Sequence, residues 1–101
     1  MKKTFKLEQE NKKRERVVEA IKHEIRKYLK RERRKVLPEG MTYWDFQCNF
    51  GKSVEDKQPI LIKDLIENID KADGENWGEF YVEIFATAVY KEKATLKDEI
   101  N

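Results

Sequence analysis

Between Thr42 and Phe50 the chain alternates without a break, with Trp44, Phe46, Cys48 and Phe50 on one side and Tyr43, Asp45, Gln47 and Asn49 on the other. Glu79 to Tyr90 repeats the pattern: Phe80, Val82, Ile84, Ala86 and Ala88 against Tyr81, Glu83, Phe85, Thr87 and Val89. Successive side chains of a strand point to opposite faces, so these runs read as two long strands, each with one apolar face. The remaining segments must supply something apolar to lie on that face.

The segment from Lys12 to Lys35 supplies it. At about 100° per residue, Val17, Val18, Ile21, Ile25, Tyr28 and Leu29 fall within an arc of about 120°, the stripe of a helix packed on a core. Asn11 is a candidate cap, and a helix over 12–35 would be about 36 Å long. Pro38 ends it, because the residue before a proline is pushed toward extended geometry, and Glu39-Gly40 make a turn.

Shorter pieces complete the pattern. Phe5 and Leu7 alternate with polar residues in a short strand over 3–8. Gly51 to Gln58 reads as a polar loop, and Pro59 to Ile62 as extended or strand-like. Asp64-Leu65-Ile66-Glu67 has the form of a capping box, opening a second helix to about Ala72 whose buried face includes Leu65, Ile66 and Ile69. The expected fold is α+β, a single domain over residues 1–91 in β-α-β-α-β order, with a sheet of about three strands and both helices on one face. The other sheet face is expected to stay open, and residues 92–101 to form a polar, frayed tail.

Charge is what separates this chain from an ordinary small domain. Its net charge is only +2, but residues 1–35 hold fifteen Lys or Arg against six Glu, whereas residues 36–101 hold seven against fourteen acids. On the helix opposite the apolar stripe, Lys12, Arg16, Lys22, His23, Arg26, Lys27, Lys30, Arg33 and Arg34 share an arc of about 140°. Glu15 and Glu19 are the acids on that arc, and its C-terminal half has none. A solvated face ordinarily mixes signs for i, i+4 pairing. The macrodipole accounts for cations in the last turn, Arg31 to Lys35, but not for Lys12 to Lys30.

These segments carry a resemblance. "MKKTF", "KHEIRKYLKRERRK", "LPEG", "WDFQCNFG" and "GENWGEFYVEIFA" are similar to a small family of uncharacterised bacterial proteins of unknown function, over nearly the whole chain. The resemblance implies a bacterial, cytoplasmic, single-domain protein and no particular activity.

From the residues themselves, the expected function is non-catalytic binding of RNA or DNA phosphates. Arg16, Lys22, Arg26, Lys27, Lys30, Arg33 and Arg34 would act as backbone clamps of little sequence specificity. The alternative is a protein-interaction module, a homodimer through the open sheet face or a dock for an acidic protein partner. Tyr43, Gln47, Asn49, Tyr81 and Phe85 on that face could also stack bases, although Asp45 and Glu83 would repel phosphate. Cys48 and His23 are too few for a convincing nucleophile-base pair and lie on opposite sides of the pattern. Asp45 and Glu83 read as solvated strand charges rather than a cation site. One Cys and one His give no metal spacing and no intrachain disulfide, and the four glycines form no phosphate loop. No cofactor is expected, and without a long apolar run no membrane contact either.

Overall fold

The computed structural model describes residues 1–90. Its elements are β1 (Lys2–Lys6), α1 (Arg14–Arg33), β2 (Tyr43–Gly51), β3 (Gln58–Leu61), a 3-10 turn (Ile62–Asp64), α2 (Leu65–Gly74) and β4 (Glu79–Val89). The tail expected beyond Lys91 lies outside the described residues.

The sheet has four strands in the order β1-β4-β2-β3, and every neighbouring pair is antiparallel. The fold class is α+β as expected, but the three-strand count is corrected to four. Residues Gln58–Leu61 are not merely extended: they pair with β2, setting Ile60 opposite Cys48 and Gln58 opposite Phe50. The return is tight because Gly51 ends β2 against the backbone of the following loop. A Cβ there would sit 2.6 Å from the Asp56 carbonyl oxygen.

β4, the longest strand, lies between β1 and β2. Its Phe80, Val82 and Ile84 are completely buried. Rings stack outward from it: Phe80 lies 5.4 Å from Phe5 on β1 and 5.0 Å from Phe50 on β2, and Phe50 continues to Trp77 at 5.9 Å. Both helices close this face, α1 with Val17, Val18, Ile21 and Ile25, and α2 with Leu65, Ile69 and Ala72. Each fully buried aliphatic or aromatic side chain contributes about 1.5–3 kcal/mol relative to exposure.

The helix ends differ from the expected ones. Asn11 has a positive φ of 64°, a turn conformation that asparagine tolerates, and α1 begins three residues later without a side-chain cap. It ends at Arg33, so it is about 30 Å long rather than 36. The Trp44 indole N–H donates to the Lys35 carbonyl at 2.9 Å, holding the chain just beyond the helix end against β2. Asp64 caps no N–H with its side chain. Instead the 3-10 turn feeds α2, and the Asn68 amide donates to the Asp64 carbonyl at 2.9 Å.

Candidate nucleic-acid interface

The cations of α1 fall into two groups according to what lies beside them. On the flank facing α2, Lys22 is 9% exposed and its ammonium sits 2.5 Å from Asp70, with Glu19 at 3.8 Å. Just over two turns earlier Arg14 reaches the same helix. Its guanidinium lies 2.5 Å from Asp73 and donates to the Trp77 carbonyl at 2.8 Å. These two cations hold α1 to α2.

Lys22 therefore leaves the set of expected clamps. It stands at the extreme edge of the basic arc, the position nearest the apolar stripe, and a neighbouring helix covers that edge. A lysine stem buries well along such a seam while its ammonium finds a carboxylate.

The outer flank is different. Arg16, Arg26, Lys27, Lys30, Arg33 and Arg34 are all exposed. None has an ion-pair partner among the described residues. Arg33 lays its guanidinium over the Phe46 ring at 5.2 Å, which fixes its stem and leaves its donors outward. Arg34 follows the last helical residue and donates its own backbone N–H to the Arg31 carbonyl. From Arg16 to Arg34 the row covers about 27 Å of helix length. His23 lies exposed within it.

Arg31 and Lys35 are the cations that sequence reasoning set aside as macrodipole compensation. Both are exposed and both approach Glu32, Lys35 at 2.9 Å and Arg31 at 4.0 Å. Glu32 is buried at the centre of the helix's core-facing side. The missed signal is in its spacing: Glu32 follows Ile25 by seven residues and Tyr28 by four, so it belongs to the apolar stripe. Burial, and then the Glu32 charge, raise the Tyr28 phenol above its ordinary pKa.

The opposite sheet face is only partly open. Glu83, expected as a solvated charge, is 3% exposed. The Lys57 ammonium lies 2.8 Å from it, the Tyr81 hydroxyl donates at 2.6 Å, and the Asn49 amide at 3.0 Å. The Lys57 bond first, then that of Tyr81, hold the Glu83 carboxyl down to about 2, against the pull of desolvation. Tyr81 and Asn49 are thus occupied and not presented for stacking. Tyr43, Leu61 and Phe85 remain exposed. Asp45 does not meet Glu83, since the register sets Asp45 opposite Thr87 and Glu83 opposite Asn49.

Cys48 is buried in the core, and burial pushes its thiol up to about 11. His23 points away on the outer side of α1, so the two are not a nucleophile and its base. Among the described residues no group of three His, Cys, Asp or Glu side chains could hold a metal ion, and no helix is long and apolar enough to cross a membrane.

A family model matches residues 1–95. The chain belongs to the family of unknown function DUF6172. No curated protein and no solved structure matches it. Its basic helix has an inner flank neutralised by α2 and an outer flank with no ion-pair partner among the described residues.

Proposed function

We propose that this protein binds the phosphate backbone of RNA or DNA through the outer flank of α1. Arg16, Arg26, Lys27, Lys30, Arg33 and Arg34 serve as the clamps. One observation carries the reading. Among the described residues, the acids that reach α1 from elsewhere in the chain do so at Arg14 and Lys22, and none pairs with the outer row. Unpaired cations near phosphates release condensed counterions, which supplies affinity without sequence preference. The row lies on a helix packed against a sheet, so the cations are held in place before a ligand arrives, which lowers the cost of ordering them. A reducing, cytoplasmic setting suits this reading, because a lone buried thiol is at home there.

The test is fluorescence anisotropy with a labelled single-stranded RNA and a duplex DNA at several salt concentrations. Affinity should fall with a slope equivalent to about three to six phosphates. Alanine at Arg26, Lys27, Lys30 and Arg34 together should abolish most of it, whereas Lys22→Gln should not. Absence of binding at low salt would sink the reading. A second reading, pairing of two copies through the sheet, draws on the exposure of Tyr43, Leu61 and Phe85. A dimer mass insensitive to salt, lost on Phe85→Asp, would favour it.

A further inference from the structure

The sheet has two edges, and they are not alike. β3 carries Pro59, which has no N–H to offer a further strand. β1 carries no proline, and its outer edge pairs with nothing among the described residues.

Which backbone groups that edge presents follows from the ladder. At one end the Ile84 N–H donates to the Met1 carbonyl at 2.8 Å and the Met1 amino group donates back to Ile84. At the other end the Leu7 N–H donates to Gly78 at 2.8 Å. Antiparallel ladders alternate, so Met1, Lys3, Phe5 and Leu7 bond to β4, while Lys2, Thr4 and Lys6 turn their N–H and C=O groups outward. The Lys6 carbonyl, pointing outward as this phase requires, already accepts from the Gln9 amide at 3.1 Å. Both groups of Lys2 and of Thr4, and the N–H of Lys6, have no bond within the described chain.

Beside this edge runs a broad groove between β1 and the N-terminal half of α1, whose lining holds the cations Lys3, Lys6, Lys12, Lys13 and Arg16 and the acids Glu8, Glu10 and Glu24, an excess of cations. Lys3 is ion-paired within it, its ammonium 2.7 Å from Glu24. Lysines on an edge keep ordinary strands away. They also select the strand that is admitted.

We propose that the free edge of β1 takes an extended acidic peptide as a fifth strand. The peptide's backbone bonds to Lys2, Thr4 and the Lys6 N–H, and its Asp or Glu side chains alternate between Lys2 and Lys6 on one face and Lys12, Lys13 and Arg16 of the groove on the other. Strand addition of this kind draws affinity from main-chain bonds and selectivity from alternate side chains. Antiparallel pairing with a second copy centred on Thr4, the register that uses the most outward groups, sets Lys2 opposite Lys6, and like charges directly opposed are destabilising. Although Arg16 serves both, peptide binding is separable from phosphate binding, since it uses backbone groups that a nucleic acid cannot match in register.

The probe is a short labelled peptide carrying Glu on both strand faces, as in a Glu-Glu-Thr-Thr repeat, titrated by anisotropy against the full chain. Its control is the same peptide with alternate backbone amides N-methylated, tested in both phases. The unmodified peptide should bind at micromolar concentration, and methylation in the bonding phase should weaken it about tenfold or more. Thr4→Pro removes one outward N–H without touching the bonds to β4, and should weaken the peptide similarly while leaving RNA affinity unchanged. Conversely, the outer-flank alanine variant should lose RNA and keep the peptide. Equal binding of methylated and unmodified peptides would mean charge attraction alone and overturn the proposal, whether or not Thr4→Pro folds. No binding at low salt would overturn it equally.

Discussion

Lys22 and Arg26 stand about one turn apart on the same helix and have the same sign, yet they belong to different parts of the molecule. Lys22 is buried in a seam and paired with Asp70, whereas Arg26 is exposed and unpaired. What separates them is not their place in a charge count but the neighbour that α2 provides on one side only. The sheet repeats the contrast with opposite sign, since Glu83 is enclosed by Lys57, Tyr81 and Asn49 while Glu79, two alternations earlier on the same face and at the strand's start, is exposed. A charged residue in a small domain is a structural part or a contact surface according to its second neighbour.

The largest effect should come from forcing the two groups to resemble each other. Asp70→Lys places a second ammonium beside Lys22 and should destabilise the domain by about 2 kcal/mol, less than a fully buried pair would lose because Asp70 is half-exposed. Urea unfolding measures it, and a change near zero would erase the distinction. Lys22→Met should shift stability by less than about 1 kcal/mol in either direction, since an apolar stem can replace a partly buried ion. Arg26→Ala should fall within about 0.5 kcal/mol of the parent, yet reduce the salt slope of RNA binding by about one.

The sheet carboxylate supplies a pH test. The Glu83 carboxyl is lowered from 4.5 to about 2 in the folded protein, so its stabilising contribution is complete above pH 4.5 and is lost as pH falls from there toward 2. Melting temperatures of the parent and Glu83→Gln should differ by a constant amount at neutral pH and converge in acid. A gap that persists unchanged at pH 2 would mean that the enclosure does not act through ionisation. The smallest effect concerns Cys48, which should react with iodoacetamide at pH 8 far more slowly than a free thiol, because the buried group stays protonated.

Local periodicity made much of this legible. The alternation at Phe46, Cys48 and Phe50, and at Phe80, Val82 and Ile84, located both long strands and their buried face, and the stripe from Val17 to Ile25 located the helix that covers it. β3 was only half legible, because four residues including a proline make too short a pattern to tell a paired strand from an extended run, and its pairing depends on the tight return at Gly51. Strand order was hidden for a related reason: hydrogen-bond partners distant in sequence leave no local trace. On the charged side, angular position alone could not tell Lys22 from Arg26, since the packing of α2 is a tertiary fact. Glu83 was misjudged because an acid on a strand pattern was taken for a solvated acid, when a cation from a loop, Lys57, encloses it.

The indole of Trp44, bonded to the Lys35 carbonyl, bears on timing as well as shape. Helix termini fray on fast timescales, and a row of arginines on a fraying end would point in many directions at once. Anchored to the second strand, the end of α1 is instead part of the sheet's cooperative unit. Amide hydrogens around Arg31 to Lys35 should therefore exchange at the pace of the sheet interior rather than of a loose terminus, and a ligand at Arg33 and Arg34 meets a surface whose rigidity is borrowed from a strand it never touches.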